Sequence, residues 1–267
     1  MEVKIPFEFL NIASISEGVI NIELNRAPVN AVHRSMYIEI AEVFRNIDDV
    51  AAGARCIVLS GKGPHFCAGN DLDEFATMTP ENGTERMWRV REAFFAISDS
   101  KVPVIGVIHG SALGTGLAVA ASCDFIVAEP NARLGLPEMT VGVMGGARHL
   151  ARIAPAPLVR RMFFTGQPLS ASELFAAGGS LVVSEPGKAF DHALTVAQRI
   201  ATYSPTALRR AKVILDRIEF MDLKPGYEFE QAGTVQMSGH PDSKEALAAF
   251  REKRAPSYQP LSLPSPP

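Results

Sequence analysis

The stretch Val102-Pro103-Val104-Ile105-Gly106-Val107-Ile108-His109-Gly110-Ser111-Ala112-Leu113-Gly114-Thr115-Gly116-Leu117-Ala118-Val119-Ala120-Ala121-Ser122-Cys123-Asp124-Phe125-Ile126-Val127-Ala128 decides the fold. Only His109 and Asp124 in it carry charge near neutral pH, so a membrane-spanning helix is the first reading it invites. Its internal grammar argues otherwise. Val102 to Ile108 is a short β-branched run, and Gly110 to Gly116 is a turn punctuated by glycines. Leu117 to Ser122 is small and helix-compatible, and Phe125 to Ala128 is apolar again. Strand, loop, buried helix and strand in that order imply an α/β fold with its loops gathered at strand ends.

The flanks agree. Phe7 to Ile15 and Val19 to Leu24 alternate like paired strands about the turn Ser16-Glu17-Gly18. After the interruption at Pro28, residues Met36, Ile38, Ile40, Val43, Phe44 and Ile47 share one face, which predicts a helix over 35–47. Cys56 to Leu59 reads as a strand leading into a glycine-rich loop that runs through Asn70, and Thr84 to Ile97 as an amphipathic helix. Beyond Leu158 the spacing predicts helices over 158–164, 170–177, 189–203, 206–217 and 228–236, with Ser204-Pro205 and Lys224-Pro225-Gly226 as breaks. Ser170 and Glu173 fit a capping box.

Composition narrows the function. The 267 residues are 47% hydrophobic and 21% charged, ample for a buried core and incompatible with wholesale disorder. With 26 Lys and Arg against 29 Asp and Glu, the net charge of −3 gives no global pull toward nucleic acid or an anionic membrane. Cys56, Cys67 and Cys123 form no CxxC pair, and their odd number argues against a disulfide framework and for a reducing, cytoplasmic setting. The opening Met-Glu-Val-Lys-Ile-Pro lacks the basic start and apolar run of a signal peptide. No His, Cys, Asp and Glu cluster has metal-ligand spacing, so no metal is expected.

Three segments concentrate the chemistry: His65-Phe66-Cys67-Ala68-Gly69-Asn70-Asp71-Leu72, Gly110-Ser111-Ala112-Leu113-Gly114-Thr115-Gly116, and Leu134-Gly135-Leu136-Pro137-Glu138. The second lacks the Gly-Lys-Ser/Thr ending of a phosphate loop and the spacing of a dinucleotide fingerprint, so nucleotide binding through either motif is not expected. Together with Asn25-Arg26-Ala27-Pro28-Val29-Asn30-Ala31 before them and Ala249-Phe250-Arg251-Glu252-Lys253-Arg254 after, in this order, they resemble the crotonase superfamily of enoyl-CoA hydratases and isomerases. The resemblance runs from about residue 7 to 258.

The resemblance implies a crotonase fold, a spiral of ββα units over 1–200, followed by a helical trimerisation region over 201–258 and a loose tail over 259–267. It implies an acyl-CoA thioester as substrate, coenzyme A entering only as part of it, and a homotrimer or dimer of trimers. Chemistry beside a thioester builds negative charge on the carbonyl oxygen, which two preorganised backbone N–H groups can hold. By position those donors are the amides of Asn70 and Thr115, with Ala68, Gly69, Asp71, Gly114, Ala118 and His149 placed to border the substrate. Glycines let the main chain approach closely, and a helix starting near Gly116 aims its positive end at the same oxygen. Glu138 falls where the family keeps a catalytic glutamate, and partial burial would raise its pKa toward the useful range.

Three departures bear on the reaction. Thr115 stands where many relatives have glycine. Ala118 stands where typical hydratases carry a second glutamate, which counts against two-carboxylate hydration and favours one carboxylate moving a proton between two carbons, as in double-bond isomerisation. Hydration or dehydration of an atypical enoyl-CoA, C–C cleavage of a ketoacyl-CoA, and a non-catalytic acyl-CoA-binding scaffold are the alternatives. The segment Gly142 to Leu150 is shorter than its counterparts and lacks their proline, which opens the site to Arg148 or His149, although a helix-start role fits His149 better. His65 and His109 read as structural, Asp71 as pinning its loop, and Cys67 as lacking a histidine to activate it. The basic groups Arg209-Arg210 with Lys212 and Lys253-Arg254 suit either coenzyme A phosphates or solvated helix faces.

Overall fold

The computed structural model describes residues 7–259 and 261. A six-stranded sheet carries the frame, in the order β1 (Leu10–Ser16), β2 (Val19–Leu24), β3 (Cys56–Gly61), β4 (Val104–Ile108), β6 (Phe125–Ala128) and β9 (Val182–Val183). β1 and β2 form the expected antiparallel hairpin, and every later pairing in this sheet is parallel. Parallel strands are covered on both faces, and their alternation sorts the core in two. Ile57 and Leu59 of β3 with Val104 and Ile108 of β4 join one cluster. Val58, Ile105 and Val107 point to the other, where α9 (Ala189–Ala201) lays Ala189, Ala193, Ala197 and Ala201 against them.

A second layer runs behind the first. It contains β5 (Ser111–Leu113), β7 (Arg133–Gly135) and β8 (Leu169–Ser170), and single parallel bridges Val32 to Asn70 and Cys67 to Ala112 extend it. The chain alternates between layers, passing from β4 to β5, then helix α5 (Thr115–Ala121), then from β6 to β7. This is the ββα spiral. Its outer helices are α1 (Arg34–Arg45), α2 (Ile47–Val50), α3 (Leu72–Ala76) and α4 (Pro80–Ser98), the last with a Thr79–Asn82 capping box. A 3₁₀ turn (Pro137–Val141) leads to α6 (Ala147–Ile153), α7 (Ala156–Thr165) and α8 (Ala171–Ala176), whose Ser170–Glu173 capping box forms as read.

The C-terminal helices are α10 (Pro205–Ile218), α11 (Leu223–Ser238) and α12 (Pro241–Glu252). Ser204 caps α10 with Pro205 in its first turn, so that break holds. Lys224-Pro225-Gly226 does not break the chain: it lies in the first turn of α11, where proline's missing N–H has no carbonyl to serve. The two charge-bearing residues of the deciding stretch both have structural partners. Asp124 accepts from Val104 N–H at 2.7 Å and pairs at 2.9 Å with the buried Lys212 of α10, while His109 Nε2 meets Gly63 O at 2.9 Å. No described helix is long and apolar enough to cross a membrane. The expected tail over 259–267 falls outside the described residues apart from 259 and 261.

Helix α5 packs flush against the second layer. A Cβ on Gly116 would lie 2.1 Å from the Cys67 carbonyl oxygen, which is backbone and cannot rotate away. Gly116→Ala is expected to cost about 3 kcal/mol or more in urea-unfolding stability. Gly239→Ala, at a position with open space, is expected to be neutral or stabilising by up to about 1 kcal/mol.

Candidate active site

The loop after β3 is held by backbone bonds on both sides. Cys67 N–H donates to Ser111 O at 3.0 Å, and Leu113 N–H donates to Cys67 O at 3.1 Å. Ala68 N–H reaches Val29 O at 3.0 Å, Val32 N–H reaches Gly69 O at 2.9 Å, and Asp71 N–H reaches Val32 O at 2.9 Å. In this parallel pattern the bonds flank Asn70, so its own N–H and C=O face away from Val32. Gly69, at φ +123°, makes the bend. Thr115 opens α5 behind the N-cap Gly114, so its N–H has no intrahelical acceptor. Among the described residues neither the Asn70 nor the Thr115 N–H has a hydrogen-bond partner.

Asn70 and Thr115 both line a cleft of about 520 Å³, together with Ala68, Gly69, Asp71, Gly114 and Glu138. Pro137 starts the 3₁₀ turn that presents Glu138. One carboxylate oxygen, Oε1, lies 3.0 Å from where a Cβ on Gly114 would sit, and Gly114 itself holds a φ of +54° that favours glycine. The other, Oε2, is buried and without a partner among the described residues. Desolvation accordingly pushes the Glu138 pKa upward, against a smaller opposing effect of its own backbone N–H. Asp71 goes the opposite way. Its side chain caps α3 through the Glu74 N–H and pairs with Arg26 at 2.6 Å, and those two contacts hold its pKa below the usual carboxylate range.

The remaining expected residues lie elsewhere. Ala118 is buried in α5, its methyl in the core and its N–H bonded to Gly114 O at 3.0 Å. His149, in the first turns of α6, does not border the cleft: its ring meets Phe94 edge-on at 5.0 Å, and burial with Arg152 and Arg148 nearby lowers its pKa. Arg148 lies over the Phe220 ring at 5.2 Å. Burial raises the Cys67 thiol to about 12, which keeps it protonated. Among the described residues no group of three or more His, Cys, Asp or Glu is placed to hold a metal ion.

The residue missed in the sequence is Tyr37 of α1, whose hydroxyl lies 2.5 Å from Asn70 Oδ1 and 2.9 Å from Thr115 Oγ1. A buried phenol must find a partner, but the sequence of α1 does not say where that partner lies.

Known proteins carry the same architecture. A family model described as enoyl-CoA hydratase/isomerase matches residues 14–260. The chain is 32% identical over 262 residues to a probable mitochondrial enoyl-CoA hydratase 2 of Arabidopsis thaliana, covering 95% of this chain and 86% of that one. It is 31% identical over 243 residues to a (7aS)-7a-methyl-1,5-dioxo-2,3,5,6,7,7a-hexahydro-1H-indene-carboxyl-CoA hydrolase of Mycobacterium tuberculosis, covering 88% and 96% respectively. The crystal structure of an enoyl-CoA hydratase from Bacillus anthracis superposes with a TM-score of 0.89 at 29% identity, covering 95% of this chain and all of that one. The fold is the crotonase fold of acyl-CoA enzymes. The chain belongs to the enoyl-CoA hydratase/isomerase family.

A carboxyl group whose pKa rises on folding makes the folded state less stable once it ionises. The stability present below the ordinary carboxylate range is lost as pH rises through the folded pKa. Glu138→Gln is therefore expected to raise Tm at about pH 8 and to change it little at about pH 3, below the ordinary carboxylate range, where the carboxyl is largely protonated folded and unfolded alike. Differential scanning calorimetry at the two pH values checks this.

Proposed function

We propose that this protein moves a proton within an enoyl-CoA thioester through an enolate, with Glu138 as the single acid/base and the amides of Asn70 and Thr115 as the oxyanion hole. The observation that carries the reading is that Glu138, with a raised pKa and a buried Oε2 that has no partner among the described residues, lines one cleft with Asn70 and Thr115, whose N–H groups are also unpartnered there. Glu138 takes a proton from the α-carbon of a 3-enoyl-CoA, and the electron pair spreads to the thioester oxygen. The protonated carboxyl then returns its proton to the γ-carbon, leaving the double bond between the α- and β-carbons. One carboxyl suffices for both transfers, in keeping with Ala118 and with the ionised, Arg26-paired Asp71. Losing one oxyanion donor costs about 3–4 kcal/mol of transition-state stabilisation.

A second reading draws on the likeness to the indene-carboxyl-CoA hydrolase: the same groups hydrolyse a C–C bond of a ketoacyl-CoA. There Glu138 would activate water, and the oxyanion hole would hold the departing enolate. Hydration of an atypical enoyl-CoA needs a further group in place of the absent second glutamate. The exposed Phe220, Leu223, Tyr227, Val235 and Phe250 on and beside the C-terminal helices support the proposed assembly into a homotrimer or dimer of trimers.

Matched 2-enoyl- and 3-enoyl-CoA esters in heavy water, followed by chromatography and mass spectrometry, separate these readings. Double-bond migration with deuterium uptake is expected, falling by about 10²-fold or more in Glu138→Gln while ester affinity is retained. A hydroxyacyl-CoA product would establish hydration instead. Binding with no turnover of any CoA ester would leave a non-catalytic scaffold. Because the base must be ionised, the rate should climb with pH through a value above the ordinary carboxylate range.

A further inference from the structure

Tyr37 takes no part in the proton transfers, yet it touches both Asn70 and Thr115, which line the cleft. Its side chain is only 5% exposed, on a helix anchored in the core by Met36, Ile40, Val43 and Phe44. Phe94 of α4 meets its ring edge-on at 6.2 Å. The ring thus has little freedom to move. The polarity of its hydrogen bonds follows from chemistry. The Asn70 side-chain oxygen only accepts, so the phenol donates to it, which leaves the Thr115 hydroxyl to donate to the phenol oxygen. Burial pushes the phenol pKa far above its ordinary value, so the donor stays protonated throughout the working pH range.

Asn70 and Thr115 lie on different turns of the spiral. They are joined in main chain only through the Cys67 bridge three and two positions away from them, at Cys67 and Leu113. A side-chain chain running from Thr115 through Tyr37 to Asn70 closes that gap at the level of the amides themselves. It also gives the Thr115 side chain, present where many relatives have glycine, a defined task. We infer that Tyr37 is a positioning residue: its hydroxyl ties the Asn70 and Thr115 side chains together and so fixes the spacing of the two amides offered to a thioester oxygen. The inference rests on the oxyanion reading proposed above and deepens it.

Butyryl-CoA carrying ¹³C at the thioester carbonyl tests it on the full chain with two readouts. Isotope-edited infrared spectroscopy reads the C=O stretch of the bound ester, which an oxyanion hole lowers. Mass spectrometry reads α-proton exchange in heavy water, which reports enolate formation whatever the natural acyl group. Tyr37→Phe is expected to keep ester affinity, return the bound C=O stretch toward its solution value, and slow exchange roughly tenfold to a hundredfold, since a misplaced donor costs less than a lost one. Thr115→Val keeps the amide and the side-chain shape but breaks the same chain, so it should act in the same direction. The double variant should then be little slower than the slower single one. If Tyr37→Phe folds poorly, Thr115→Val alone carries the comparison.

An unchanged stretch and exchange rate in the variants would overturn the inference, as would a loss confined to affinity, which is what a merely structural tyrosine gives. Glu138→Gln should abolish exchange and keep the lowered stretch. Exchange persisting in Glu138→Gln would refute Glu138 as the base while the infrared comparison still decides Tyr37. A bound carbonyl at its solution frequency in the wild type would refute the oxyanion hole, and the role of Tyr37 with it.

Discussion

The structure depends on a backbone contact that only glycine allows, where α5 rests on the carbonyl of Cys67. Because Gly116 has no side chain, the Cys67 strand can bond to β5 on one side of that helix start, at 3.0 Å and 3.1 Å. β5 in turn pairs with β7, so Cys67, Ala112 and Leu134 stand in one row across three parallel segments. Counting forward from that row, Asn70 and Thr115 each come three residues later and Glu138 four. Three groups far apart in sequence therefore arrive together at the carboxyl ends of neighbouring strands, where open α/β layers bind ligands. A further bond, from Gly114 N–H to Gly135 O at 2.9 Å, locks the last two together just before they leave the layer.

Two of the carboxyl groups that line the cleft differ in environment. Asp71 has a backbone donor and a guanidinium, and it stays ionised. Glu138 has a buried oxygen with no partner among the described residues, and burial raises its pKa. The two groups are thus pushed in opposite directions by their surroundings. Ala118 fits the same logic. Every residue of α5 is buried, and a methyl at that point joins the apolar core without asking for a hydrogen-bond partner.

How much of this was legible follows from the length of each signal. The runs of β3, β4 and β6 were readable because parallel strands buried on both faces are apolar at nearly every position, and β2 because it alternates beside a turn. The Ser170–Glu173 box was readable because both halves lie in one turn. β5, β7, β8 and β9 were not, since two or three residues are too few to show a period. α12 was passed over although Pro241 sits in its first turn, and α11 began earlier than expected because proline is tolerated there. The motifs named Asn70, Thr115 and Glu138, and the structure brings all three to one cleft. Tyr37 was out of reach, because its partners lie 33 and 78 positions away and nothing local announces them.

The shortened segment after Glu138 links the departures in sequence to the chemistry. Gly142 and Gly146 adopt φ of +71° and +72°, which lets the chain reverse within a few residues and start α6 at Ala147. That reversal brings Gly146 onto the Glu138 segment, so that a Cβ there would lie 2.4 Å from Leu136 Cδ2 and 3.6 Å from Glu138 Oε1. The closure has two effects. It carries His149 along α6 to the face of Phe94 rather than into the cleft. It also sets the Gly146 backbone close to Glu138 Oε1, while the buried Oε2 has no hydrogen-bond partner among the described residues. The tight turn thus sets the positions of α6 and Glu138 together, with Oε2 of that carboxyl left unpartnered among the described residues.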